Sequence, residues 1–303
     1  MARNWKLGLT FALVTALMWG LLPLGLKAVL AHMDALTATW YRFSISAVIA
    51  LAWYGHHSGA QLRRLFTRPH LAWSVVALLG LVGNYVLYVL GLDRVNPGAS
   101  QVLIQIAPLL LLLASVAFFG EDFAPRQWAG LVALALGLGL FFHQRISASI
   151  VTSDSYLLGA ALLVGAAVLW TCYGLAQRQL LLDFHARDIL LAVCLGGSVL
   201  LLPLAQPLQV MQLDTTALLL LAFCGLNTII AYGCFGLAMS HWESSRVSAV
   251  LPLVPLLTLF FTWLFNRWLD TSIAAEPLDW LGALGALLVV AGSALATLGR
   301  AAR

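Results

Sequence analysis

Long apolar runs follow one another along almost the whole sequence, and they limit the possible folds more than any other feature. Each run has about the 20 residues that an α-helix needs to cross the hydrocarbon core of a bilayer. The chain is 62% hydrophobic and 9% charged, unlike a soluble domain. The sequence therefore predicts an all-α polytopic membrane protein with ten transmembrane helices, near residues 8–30, 36–55, 70–91, 98–119, 126–143, 156–177, 188–206, 216–239, 246–267 and 278–299.

The basic residues indicate how these helices are oriented, because Lys and Arg concentrate on the cytoplasmic side of a membrane. With the N-terminus inside, eleven of the 16 basic residues fall on the cytoplasmic side. An even number of spans also puts both termini on one side. We expect a multi-pass protein of the inner (plasma) membrane of a bacterium, with both termini cytoplasmic.

The two halves of the chain are weakly similar to each other. ALMWGLLPLGLK (16–27) aligns with AVLWTCYGLAQR (167–178), and further matches follow in the same order with small gaps. The superposed pairs are Trp19 with Trp170, Tyr85 with Tyr232, Pro108 with Pro255 and Trp128 with Trp280. This pattern indicates a duplicated five-helix unit, residues 1–152 and 153–303. Five spans are an odd number, so the copies are predicted to form two inverted repeats, an arrangement typical of transporters.

Two of the superposed residues are prolines inside predicted helices. Pro108 and Pro255 each delete one backbone hydrogen bond, so we expect a hinge or a local unwinding in each unit. Gln101 and Gln105 share a helix face with Pro108, as Ser248 does with Pro255. These polar side chains can bind the freed carbonyls or a ligand. A purely structural kink is the alternative.

Polar and aromatic side chains also cluster in the middle of several other predicted helices. Packing between helices is one role for each of them, and contact with a substrate is the other. Their convergence within a repeat favours a binding role. With the residues beside the prolines, the candidate substrate-binding set is Trp19, Asn84, Tyr85, Tyr88, Gln101, Gln105, Trp170, Tyr173, Tyr232 and Ser248.

Charge is scarce inside the predicted helices. Every Asp and Glu falls in or beside a loop, so no carboxylate is expected at the midplane to couple transport to protons. Arg42 is the one candidate for binding an anion, and its alternative roles are to snorkel outward or to bind carbonyl groups between helices. This distribution favours a neutral or zwitterionic ligand of modest size.

Enzyme signatures are missing from the sequence. It contains no GxSxG, HExxH or CxxC motif and no P-loop, and the four cysteines lie inside apolar runs. We therefore expect no enzyme, no cofactor and no metal site. The expected partners are a small-molecule substrate and the lipid bilayer, with no nucleic acid, and we expect a monomer.

A set of residues in a fixed order resembles a known family. Trp19 and Gly20 precede Lys27, Arg42 lies early in the second helix, and the paired prolines follow. Gly120 and Glu121 precede a fifth helix that, like the tenth, is rich in glycine: Gly130, Gly137, Gly139, Gly282, Gly285 and Gly292. This order resembles the drug/metabolite transporter superfamily in its EamA branch. The second half departs from the pattern, because NRWLD (266–270) stands where Gly-Glu is expected.

The resemblance implies ten helices in two inverted units and a central cavity lined by helices one, three, four, six, eight and nine. Within the branch, the chain is most similar to YddG-type bacterial exporters of aromatic and neutral amino acids. This resemblance implies export of small neutral or zwitterionic metabolites, above all amino acids, by alternating access. A nucleotide-sugar or organic-phosphate exchanger of the same superfamily is the alternative, and a membrane scaffold or receptor is the rival from a different class.

Overall fold

The computed structural model describes residues 4–107, 110, 113–114, 125–141, 143, 154–241, 250–268 and 279–298. Within these ranges the secondary structure is helical, without a strand. Short 3-10 helices cover Leu202–Leu204, Pro207–Gln212 and Leu251–Leu253. The α-helices are α1 (Trp5–Val29), α2 (Ala35–Leu65), α3 (Arg68–Arg94), α4 (Pro97–Ile104), α5 (Pro125–Phe141), α6 (Asp154–Leu180), α7 (Ala186–Leu201), α8 (Thr215–His241), α9 (Val254–Trp268) and α10 (Trp280–Leu298).

Six of the described helical segments are long and apolar enough to cross a membrane. They are Trp5–Val29, Ala35–Trp53, Arg68–Arg94, Asp154–Leu180, Ala186–Leu204 and Thr215–Phe235, and Trp280–Leu295 is a shorter apolar helix. The predicted fourth and ninth runs extend into residues outside the described ranges, so the count of ten spans stays a prediction. Over the part of the chain that the structure describes, the protein has the all-helical architecture of a polytopic membrane protein.

Helix α2 is longer than its apolar run predicts. It continues for ten residues beyond position 55 and ends at Leu65, so most of the connection expected between the second and third runs is helix. Arg63 and Arg64 lie in its last turn, where positive charge stabilises the carbonyl end of a helix. Hydropathy locates the part of a helix that lies in lipid, whereas the helix itself continues as long as its backbone hydrogen bonds do.

Side chains fix the start of several helices. Asp34 Oδ1 accepts hydrogen bonds from the backbone N–H groups of Leu36 and Thr37 at 2.9 and 3.0 Å, which caps α2. Asn96 Oδ1 accepts one from Ala99 N–H at 2.8 Å and caps α4. Helix α3 therefore ends at Arg94 and a new helix begins three residues later.

The helices pack mainly across the two halves of the chain. Pairs that join the halves include α1 with α8, α3 with α6, α2 with α7, α4 with α9 and α5 with α10. Exchanging the halves, so that each helix takes the place of the one five further on, turns the first pair into the second and leaves the other three unchanged. The packing has the pattern of a two-fold relation between the halves.

Glycines allow the closest of these approaches. A Cβ atom added to Gly137 would lie 2.6 Å from Val289 N and 2.8 Å from Gly285 O, so α5 and α10 pack backbone to backbone. Small residues at helix contacts are how membrane helices gain packing contacts without a hydrophobic driving force. Gly137, Gly285 and Gly292 thus have a packing role.

Candidate functional site

A cavity of about 150 Å³ lies between the two halves. Its wall includes residues of the six helices that the resemblance implies and, in addition, α2. The wall residues are Trp19, Leu22, Arg42, Asn84, Tyr85, Tyr88, Gln101, Ile104, Gln105, Ala107, Trp170, Tyr232, Leu251 and Val254. Cavities of this size in proteins hold a ring the size of benzene.

Aromatic rings form one side of the wall. Trp19 meets Tyr232 edge to face, with 5.5 Å between ring centroids and 70° between planes. Trp19 also packs against Phe235 at 5.9 Å, and Tyr85 against Phe43 at 4.8 Å. Such contacts hold flat apolar surfaces in fixed orientations. The wall can therefore receive an apolar or aromatic group.

Three amides supply the neutral polar part of the wall. Gln101 Nε2 donates to Tyr88 Oη at 2.8 Å, and Asn84 Nδ2 donates to the carbonyl of Ala166 at 2.8 Å. Gln105 Oε1 accepts from Ser293 Oγ at 3.4 Å. These bonds leave Gln101 Oε1 and Asn84 Oδ1 without a hydrogen bond to any described residue. Both oxygens are acceptors for an N–H group of a ligand.

Arg42 provides the only charge among the wall residues of the described chain. Its side chain is 2% exposed, and its Cζ atom lies 4.3 Å from the centroid of the Tyr85 ring. The buried Nε atom has no hydrogen-bond partner among the described residues. Of the two alternatives to ligand binding weighed from sequence, snorkelling outward is wrong, because the side chain points into the cavity. For the other alternative, binding of carbonyl groups between helices, Arg42 has no carbonyl partner within the described ranges.

Lys27, the basic residue of the first helix, does have partners. Its Nζ donates to the backbone carbonyls of Leu92 at 2.8 Å and Val95 at 3.1 Å, and to that of Asp93. These carbonyls lie at the end of α3, where no further turn supplies donors. Lys27 thus joins α1 to the end of α3 and has a structural role.

Helix breaks reach the cavity from both halves. Helix α4 ends at Ile104, and Pro108, four residues later in the sequence, brings no N–H to the Ile104 carbonyl. Leu251 has the same relation to Pro255, and there the backbone forms a 3-10 turn before α9. Ile104 and Leu251 are both wall residues. Pro108 itself lies outside the described residues, and Pro255 is the second residue of α9.

The structure brings most of the sequence-predicted residues together. Those on the cavity wall are Trp19, Asn84, Tyr85, Tyr88, Gln101, Gln105, Trp170 and Tyr232. Tyr173 is not among them: it is 2% exposed in a cluster shared by α2, α3, α6 and α7. Ser248 lies outside the described residues. Helix α2 is not among the helices that the resemblance implies for the cavity, although the charge of Arg42 within its apolar run was a signal for such a position.

Comparisons with known proteins agree with the architecture. A 38% identical relative, named an "uncharacterized transporter" of Haemophilus influenzae, aligns over 97% of this chain and 95% of its own. The inner membrane transporter YhbE of Escherichia coli is 36% identical over 99% of this chain and 94% of its own. A more distant Escherichia coli relative, named a "probable amino-acid metabolite efflux pump", is 22% identical over 93% and 91%.

A solved crystal structure shares the fold, with a TM-score of 0.67 over 97% of both chains at 21% sequence identity. The EamA-like transporter family matches two stretches of the sequence, residues 6–143 and 157–298. Together they cover most of the chain. The predicted resemblance to the EamA branch is confirmed: the chain belongs to the EamA-like transporter family.

Proposed function

We propose that this protein exports small neutral or zwitterionic metabolites, most of all amino acids including aromatic ones. The observation that supports this most is the composition of the cavity wall, in which aromatic rings face amide groups and no carboxylate is found among the described residues. A solute with a flat apolar part and a few polar groups matches this surface. The relative named an amino-acid metabolite efflux pump agrees with the same substrate class.

The proposed mechanism is alternating access between two inverted five-helix repeats, residues 1–152 and 153–303. The two family matches and the exchange of helix pairs between the halves support a duplicated unit. A cavity at the interface of such halves opens to one side or the other when they rock. The wall contains the helix breaks at Ile104 and Leu251, which provide points where the helices can bend. Ten spans and cytoplasmic termini in an inner membrane belong to this proposal.

The two alternatives differ from the amino acid proposal in the charge of the substrate and in whether any solute is transported. A nucleotide-sugar or organic-phosphate exchanger binds a group of two or more negative charges, and the described wall offers one cation. A scaffold or receptor needs no cavity that both halves line. The amino acid proposal fits both observations.

Counterflow in liposomes that contain only this protein tests the proposed function. For each solute of a panel, vesicles loaded with the unlabelled solute are placed in a trace of the same solute in labelled form. The panel contains aromatic, neutral, acidic and basic amino acids and a sugar phosphate. We expect accumulation of aromatic and neutral amino acids above that in protein-free vesicles. Accumulation of the sugar phosphate alone would support the exchanger, and no accumulation of any solute would support a scaffold.

A further inference from the structure

Arg42 is a buried cation with no counter-charge. The wall of the cavity contains no acidic residue within the described ranges, and no ion pair to Arg42 is found there either. A guanidinium remains protonated in proteins and loses much of its hydration when it is buried. Its surroundings compensate only in part, through the ring of Tyr85. The charge and the N–H donors of Arg42 therefore remain available to a ligand.

The contact with Tyr85 leaves the hydrogen-bonding capacity of Arg42 unused. The Cζ atom lies 4.3 Å from the centroid of the Tyr85 ring, and a contact between a cation and a ring takes up charge without requiring an N–H donor. The five N–H donors of a guanidinium lie in the plane of the group, and the buried Nε of Arg42 has no hydrogen-bond partner among the described residues. A planar carboxylate accepts two parallel hydrogen bonds from the edge of such a group. A neutral amide has one acceptor oxygen and no charge, and it matches the site less well.

The other wall residues define the rest of the ligand. Trp19 and Tyr232 give an aromatic surface, and the free oxygens of Gln101 and Asn84 accept N–H groups. No residue of the described wall supplies a negative charge to match an ammonium group. Neutral acceptors can thus bind an amino group of the ligand. The only charged group on the described wall is the cation of Arg42, which pairs with a negative charge of the ligand.

We propose that Arg42 binds the carboxylate of the transported solute, so that the carboxylate is required for transport and the ammonium group is not. This inference rests on the proposed function and specifies which group of the substrate is required, so that a monoanionic acid of suitable shape is accepted beside the zwitterionic amino acid. It predicts that organic acids and amino acids are accepted, whereas solutes of the same shape without a carboxylate are rejected. A like charge at Arg42 repels the cationic amide of an amino acid.

Three solutes that share one benzyl group test the proposal with the wild-type protein. They are phenylalanine, which has both charges, phenylalanine amide, which lacks the carboxylate, and 3-phenylpropionate, which lacks the amine. Each is offered as competitor to labelled phenylalanine in counterflow. We expect competition by the first and the third, and competition by the amide at least about tenfold weaker, as the loss of a charge-assisted hydrogen bond predicts. Equal competition by the amide would overturn the proposal, and so would loss of competition by the acid.

Variants then assign the effect to the guanidinium. Arg42→Gln should lower the preference for acid over amide by about tenfold or more, and Arg42→Lys should keep part of it. Arg68→Gln is the control, because Arg68 is exposed at the start of α3 and outside the cavity. An unchanged preference in Arg42→Gln would contradict the assignment. If that variant does not fold, a preference in Arg42→Lys equal to that of the wild type would contradict it.

The outcomes separate this inference from the proposed function. If the wild type accumulates no amino acid at all, the proposed function is wrong. If it accumulates phenylalanine but accepts the amide equally well, the function stands and the role of Arg42 is wrong.

Discussion

Two basic residues lie inside the helix bundle, and their surroundings give them different roles. Lys27 binds three backbone carbonyls at the end of α3, whereas Arg42 faces the cavity and the ring of Tyr85. Both are single charges within apolar runs, so the sequence pattern treats them alike. Only the contacts show that one stabilises the fold and the other remains available to a ligand.

Replacing Lys27 by Met should destabilise the protein. The change leaves the carbonyls of Leu92, Asp93 and Val95 without their shared donor, at a cost of about 1–3 kcal/mol. We expect a lower melting temperature and lower expression, with the ranking of substrates unchanged. Lys6→Met is the control, since Lys6 is exposed near the start of α1. A changed ranking without a loss of stability would place Lys27 in the binding site instead.

Replacing Trp19 by Ala should have the opposite signature. Trp19 contributes an aromatic surface to the cavity and meets Tyr232 edge to face. Its loss should weaken the binding of aromatic solutes by about 1–3 kcal/mol and the binding of small solutes by less. The melting temperature should change little. Competition assays with a large and a small amino acid measure this ranking. Trp53→Ala is the matched control, because Trp53 is 72% exposed on α2.

Much of the cavity could be predicted residue by residue, because polar and aromatic side chains in the middle of an apolar helix are costly without a partner. That reasoning named Trp19, Asn84 and Tyr88, all of which lie on the wall. It also named Tyr173, which does not line the cavity but packs in a buried cluster that includes the wall residue Tyr85. The sequence shows that such a residue needs a partner, but which neighbouring helix supplies it depends on how each helix is rotated in the bundle.

At the scale of helices, the contact between α5 and α10 depends on glycine. The added Cβ of Gly137 would meet the backbone of α10 at 2.6 Å, a distance that backbone atoms cannot relieve by a change of rotamer. We expect Gly137→Ala to separate the helices and lower the melting temperature. Gly139→Ala in the same helix is the control, because nothing lies within 4 Å of its added Cβ. Helix propensity favours Ala at both positions, so a loss at Gly137 alone would show the contact.

The positions of the helices were more predictable than their ends. The predicted first run, 8–30, overlaps α1, and the third run, 70–91, lies inside α3. The predicted end of α2 was wrong, because its final turns are rich in polar residues and the apolar run stops before them. The fourth run, predicted to begin at residue 98, begins in the structure at Pro97, where Asn96 caps α4.

At the scale of the whole molecule, orientation in the membrane can be measured directly. Both termini and the end of α2 near Arg63 are predicted to be cytoplasmic, and the segment 144–155 is predicted to face out. Single cysteines are introduced at Arg63 and Ser149 of a variant that lacks Cys172, Cys194, Cys224 and Cys234. An impermeant reagent added outside intact cells should label position 149 only. Labelling at position 63 but not at position 149 would contradict the prediction and show the opposite orientation in the membrane.

The cavity as a whole also predicts how transport responds to a proton gradient. Its described wall has no carboxylate to take up and release protons. Net flux of a neutral amino acid down its own gradient should therefore persist in liposomes with equal pH on both sides. Strict dependence on an imposed pH difference would show a titratable coupling site elsewhere in the chain.

The backbone contact between α5 and α10 resembles an interface between subunits. Because this pair maps onto itself when the halves are exchanged, it has the self-matching geometry of an interface between two copies of one protein. A side chain added to one side of such a contact meets the backbone of the other side, as the added Cβ atoms of Gly137 and Gly285 do. The two halves of one chain thus restrict each other's sequence along this contact as two subunits of a dimer would.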